Sequence, residues 1–144
     1  MYNKIIVAFD ESPEAKRALT SAIELAKQLN AQLRILTVSE PLPVYTAFID
    51  SEIPGARQTL LEERNSFYCK LQTAAVDEAT RTGVRAEGKI VEGAEVKSIV
   101  DHIAAWGADL LVIGRRHHST MSRILGGTLH NIAEKASCSI LAVY

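Results

Sequence analysis

Two kinds of hydrophobic pattern alternate along the chain. Lys4 to Phe9, Leu33 to Val38, Ala108 to Ile113 and Ser139 to Val143 are short apolar runs. The first and third are nearly continuous, as strands covered on both faces require. Between the first two, Ala15, Ala18, Leu19, Ala22, Ile23, Ala26 and Leu29 recur at i, i+3, i+4 and i+7, which predicts a helix ending near Asn30. Ser12 stands at its N-cap and Pro13 at its first position, where a missing N–H removes nothing. A stripe of Leu60, Leu61, Phe67, Tyr68, Leu71, Ala75 and Ala79 predicts a long helix from about Arg57 to Thr82, stopped by Gly83. Gly93 opens another, with Val96, Ile99, Val100, Ile103 and Ala104 inward and Gly107 at its end, and Leu129, Ile132, Ala133 and Ala136 mark the last. Val84 to Ile90 alternates strictly, the pattern of a half-exposed edge strand whose charges discourage illicit pairing. Ser39 to Gly55, with Pro41, Pro43 and Pro54, reads as a long loop, and such loops are usually functional or mobile. Its Tyr45 and Phe48 either cover a pocket or partner or fold back on the edge of the core.

The order βαβαβαβαβ implies parallel strands joined by right-handed crossovers. We expect an α/β fold over residues 1–144 as a single domain: one doubly wound, five-stranded parallel sheet in the order 3-2-1-4-5 with helices on both faces, Rossmann-like or flavodoxin-like. That order reverses direction between strands one and four, so Asp10 and Gly114 should face each other across the switch point, where such sheets bind ligands.

Composition narrows the setting. A chain of 144 residues buries roughly two thirds of its unfolded surface and folds without staples. A formal net charge of −1 gives no global pull toward nucleic acid or an anionic membrane, so neither is expected as a partner and any anion recognition must be local. The early apolar run stops at Asp10 and Glu11, too short for a signal segment or a membrane span, and a cytoplasmic location is expected. Cys69 and Cys138 have no nearby partner and read as packing thiols.

The candidate chemistry gathers in Gly114 to Thr128, between the most apolar strand and a helix start. Gly127 and Thr128 can offer uncovered backbone N–H groups and a hydroxyl to an anion. Neither GxGxxG after the first strand nor GxxxxGK[ST] anywhere is present. Phosphates should therefore avoid the acidic Asp10 side and sit against Gly114, Gly127 and Thr128. Asp10 can accept hydrogen bonds from the base or ribose of a nucleotide while Val38 supplies apolar surface; alternatively, Asp10 caps the turn before Pro13. Arg115, Arg116, His117 and His118 either contact phosphate or form a solvated basic loop. His102 and His130 lie on separate helices, so no metal site is expected. No Ser/His/Asp or Cys/His order stands out, and Asp10-Glu11 and Glu62-Glu63 read as a turn and a solvated helix face, so enzyme activity is not expected.

Over its whole length the chain resembles the universal stress protein family, through the opening Ile5 to Ser12, Glu92-Gly93, Val112-Ile113-Gly114, Gly127-Thr128 and the closing Ser139 to Val143. The family's nucleotide-binding branch carries G-x2-G-x9-G-[S/T]; Gly114, Gly127 and Thr128 fall on its positions and His117 replaces the second glycine. A glycine there can take φ > 0, whereas a side chain in the left-handed region costs about 1–2 kcal/mol, less for His than for most residues. The resemblance implies a stress-response regulator that holds ATP, with magnesium, or a related adenine nucleotide between Asp10, Val38, Gly114, Gly127 and Thr128, with at most slow hydrolysis, and it implies a homodimer; the final strand, Ser139 to Val143, apolar with little charge to guard its edge, is the expected interface. The branch lacking the signature implies the alternative, a nucleotide-free interaction protein acting through its dimer surface, with the site closed by His117.

Overall fold

The computed structural model describes residues 1–115 and 127–144. Strands β1 (Lys4–Ala8), β2 (Gln32–Ser39), β3 (Arg85–Glu92), β4 (Leu110–Gly114) and β5 (Ser139–Val143) form one parallel sheet in the order β3-β2-β1-β4-β5. The helices are α1 (Pro13–Leu29), α2 (Thr46–Glu52), α3 (Ala56–Arg81), α4 (Glu95–Trp106) and α5 (Thr128–Lys135).

Side-chain alternation within the apolar runs builds a core on each face of the sheet. Ile5, Val7, Ile35 and Val112 pack with Ala18, Ala22 and Ala79, beneath α1 and α3. Ile6, Leu36, Leu111 and Ile113 pack with Ile99, Ile103 and Ile132, beneath α4 and α5. The two edges differ as their sequences do: β3 is charged and largely exposed, whereas β5 carries only Ser139, Ile140, Leu141, Ala142 and Val143.

Local signals set the helix ends. The Ser12 hydroxyl accepts from the Ala15 N–H at 3.2 Å, and Asn30 ends α1 in the left-handed region at φ 51°. Leu29, the last residue of α1, is exposed rather than part of the core stripe.

Ser39 to Gly55 is not loop throughout, since it contains α2. The Thr46 hydroxyl donates to the Pro43 carbonyl at 2.7 Å, and Asp50 accepts from the Gly55 and Arg57 N–H groups at 3.1 and 3.3 Å, tying α2 to the start of α3. Tyr45 and Phe48 are 66% and 73% exposed, so neither folds back on the core.

The helix α3, at 26 residues, is about 39 Å long, against about 26 Å for the eight-residue β3 it packs on. Its first half overshoots the sheet, which leaves Leu60 and Phe67 exposed despite the predicted stripe, and full burial begins at Gln72. Cys69 falls on the exposed part of α3 and is not a packing thiol; Cys138 is half-buried, and that burial raises its pKa.

Gln72 joins three elements. Its amide donates to the Ile35 carbonyl at 3.0 Å and to the Thr37 hydroxyl at 2.6 Å, and Thr37 donates in turn to the Phe9 carbonyl at 2.9 Å. A polar chain thus runs from α3 through β2 to the end of β1, next to Asp10.

On the α4 side, the Arg34 guanidinium lies 4.2 Å over the Trp106 ring, pairs with Glu87 through Nε at 2.8 Å, and donates to His102 Nε2 at 3.1 Å. Burial lowers the His102 pKa, and Arg34 and Lys89 lower it further against the opposing pull of Glu87. Among the described residues no helix is long and apolar enough to cross a membrane.

Candidate functional site

Parallel strands leave their carboxyl ends on one side of the sheet. Where the connections from β1 and β4 depart in opposite directions, the helices part and a cleft opens. It holds about 240 Å³. Its floor is apolar, made by Ala8, Phe9, Leu36, Ile99 and Ile113.

Four of the five residues selected from the sequence line this cleft: Asp10, Val38, Gly114 and Thr128. The fifth, Gly127, is the N-cap of α5, immediately before Thr128, with extended backbone at φ −73° and ψ 174°. Thr128 and Leu129, both lining residues, form the first turn of α5, so the helix presents its N-terminus to the cleft. N–H groups of a first helical turn have no intrahelical partner and carry the positive end of the helix dipole.

Asp10 caps the turn before Pro13 and also lines the cleft. One of its carboxylate oxygens accepts from the Ser12 N–H at 2.8 Å, tightening the turn into α1, while the residue lines the cleft. The Phe9 N–H donates to the Leu36 carbonyl at 2.8 Å, which continues the β1–β2 pairing up to the rim and holds Asp10 beside Val38.

Gly114 serves packing as well as the cleft. A Cβ at this position would fall 2.5 Å from the backbone carbon and oxygen of Glu14, so only glycine lets the first turn of α1 lie against the end of β4. Arg115 does not join the cleft: its N–H donates to the Val143 carbonyl at 2.6 Å and its guanidinium lies 5.9 Å from the Tyr144 ring centre. Arg116, His117 and His118 lie outside the described residues.

Of the lining residues not selected from the sequence, two are charged, Glu14 and Glu95. Both occupy the first turn of a helix that follows a strand end, and acidic residues there are explained by the helix dipole alone. The available signal was position: in a doubly wound sheet, first turns after strand carboxyl ends border the ligand cleft.

Comparison with known proteins adds the lineage. A profile described as the universal stress protein family matches residues 1–144. The chain belongs to the universal stress protein family. It is 31% identical to universal stress protein YxiE of Bacillus subtilis over 147 residues, covering 99% of each chain. A crystal structure of a universal stress protein in complex with cAMP superposes with a TM-score of 0.76 at 26% identity, covering 99% of this chain and 97% of that one. Universal stress protein UspA from Lactobacillus plantarum superposes with a TM-score of 0.82, covering 99% and 98% of the two chains; at 22% identity that likeness speaks for the fold. The sheet order is thus that of a universal stress protein fold.

Proposed function

We propose that this universal stress protein is a regulator that binds ATP or a related adenine nucleotide in the switch-point cleft, and that occupancy rather than turnover is its output. The observation that carries the reading is the polarity of the cleft along the strand ends. On the β2 side, Leu36 and Val38 offer apolar surface to a planar base; on the β4 side, Gly114, Thr128 and the N-terminus of α5 offer donors to phosphate. Asp10, between them at the end of β1, is an acceptor for ribose or base donors. The relative solved with cAMP supports the ligand class.

Glu14 lines the cleft beside Gly114, and a negative charge there disfavours a polyphosphate. A magnesium ion carried by ATP would offset that repulsion. Assembly as a homodimer through β5 fits this reading, because pairing would cover a sheet edge that has no charged residue to protect it.

The nucleotide content of freshly purified protein, followed by calorimetric titration with ATP and AMP with and without magnesium, tests the proposal. Tighter binding of Mg-ATP than of AMP is expected. Failure of both to bind would leave the second reading, a nucleotide-free interaction protein, favoured by the exposed apolar side chains Val44, Tyr45, Phe48 and Ile53 on and beside α2.

A further inference from the structure

Glu95 is the first residue of α4 and lines the cleft. Its position along the cleft follows from backbone pairing. The Gly93 N–H donates to the Ser39 carbonyl at 3.1 Å, and Val38 pairs with Val91 in the β2–β3 register, so the turn into α4 is held against the end of β2. Gly114 and Thr128 lie beyond β1, on the β4 side. A ligand with phosphate at α5 and its ring at Val38 therefore brings the ring, not the phosphate, to Glu95.

We infer that Glu95 is a specificity-determining residue, accepting a hydrogen bond from the amino group of the base and selecting amino-bearing purines over 6-oxo purines. This rests on the nucleotide reading proposed above and adds to it the residue that would read the base edge. An ionised carboxylate only accepts. It meets the 6-amino group of adenine with a charge-assisted bond, and it repels the 6-carbonyl of hypoxanthine, whose lone pairs are also acceptors. The apolar floor beside it, Leu36, Val38 and Ile99, gives no discrimination between two purines of the same shape. Glu95 also occupies the dipole-favoured first turn of α4, a helix whose N-cap, Ala94, makes no side-chain cap bond. That purely structural role predicts equal effects on both ligands and so can be separated.

Calorimetric titration of wild-type protein, Glu95→Gln and Glu95→Ala with AMP and with IMP decides the matter, with circular dichroism melting to check that each variant is folded. Wild type should prefer AMP by about tenfold, the scale of one charge-assisted hydrogen bond at a half-open site. In Glu95→Gln the preference should collapse toward unity, because the amide can turn either its oxygen to the amine or its nitrogen to the carbonyl; Glu95→Ala should lose it mainly through weaker AMP binding. Equal wild-type affinity for AMP and IMP, or an unchanged ratio in Glu95→Gln, overturns the role of Glu95 and leaves the nucleotide reading standing. Failure of wild type to bind AMP, IMP or Mg-ATP overturns the nucleotide reading itself, and this inference with it.

Discussion

Gly114 and Glu14 are in backbone contact: a methyl group placed on Gly114 would lie 2.5 Å from the Glu14 carbonyl carbon and oxygen. The end of β4 and the first turn of α1 form a single wall of the cleft because residue 114 has no side chain. Gly114→Ala must push α1 away, and overpacking of this kind costs about 1–3 kcal/mol. Urea denaturation should show a lowered midpoint with an unchanged slope. An unshifted midpoint would mean that the two elements can separate without loss.

The Thr37 hydroxyl bridges the Gln72 amide and the Phe9 carbonyl. Thr37→Val keeps the shape and removes both bonds at a fully buried position, with an expected loss of about 1–3 kcal/mol. Because Phe9 precedes Asp10 at the cleft, nucleotide affinity should fall in parallel. Chemical denaturation and titration on the same variant check the two effects, and full stability in Thr37→Val would show that the polar chain is dispensable.

His102 predicts an acid-sensitive stability. Burial, then Arg34 and Lys89, hold its folded pKa below the ordinary value of 6.5. The unfolded chain therefore binds more protons, and stability falls as pH drops below 6.5 toward the folded pKa, while above 6.5 the His102 contribution is flat. Its neutral Nε2 accepts from Arg34, a role that protonation abolishes. His102→Gln retains an acceptor without the charge. Comparing denaturation midpoints at about pH 7.5 and about pH 5.5 should show a smaller acid shift in the variant than in wild type; identical shifts would assign the acid sensitivity elsewhere.

Gly127 takes a backbone conformation open to any residue, so Gly127→Val should leave α5 folded. Its side chain would stand at the phosphate position proposed above, at the start of α5, and we expect Mg-ATP binding to be lost in calorimetry. His117→Gly, which restores glycine at the second glycine position of the signature, should tighten Mg-ATP binding in the same titration. Unchanged affinity in both variants would show that the phosphates lie elsewhere.

Assembly through β5 places Leu141, 37% exposed on the edge strand, at or near the contact. Wild type should sediment as a dimer at micromolar concentration, and Leu141→Lys should shift it toward monomer, since edge lysines oppose strand pairing. A monomeric wild type would refute the β5 interface.

The sheet order was legible in the chain because the two classes of strand write themselves differently. Buried β1 and β4 need apolar side chains on both faces, whereas edge strand β3 alternates. Asp10, Val38, Gly114 and Thr128 could be selected because strand ends at a switch point converge whatever the details of packing. The seven-residue α2 was not legible: it is too short to display helical periodicity, and the bonds at Thr46 and Asp50 that brace it look like loop chemistry in sequence.

By itself, then, the sequence determined the sheet, its order, the ends of most helices and the place of the cleft, because apolar periodicity and capping are local properties that each segment carries with it. Only the tertiary structure decided which residues share that cleft beyond the strand ends. Glu14 and Glu95 are 81 positions apart and look alike as first-turn acids. They line one cleft only when α1 closes on Gly114 and α4 is held against β2, contacts between distant segments that no local pattern encodes.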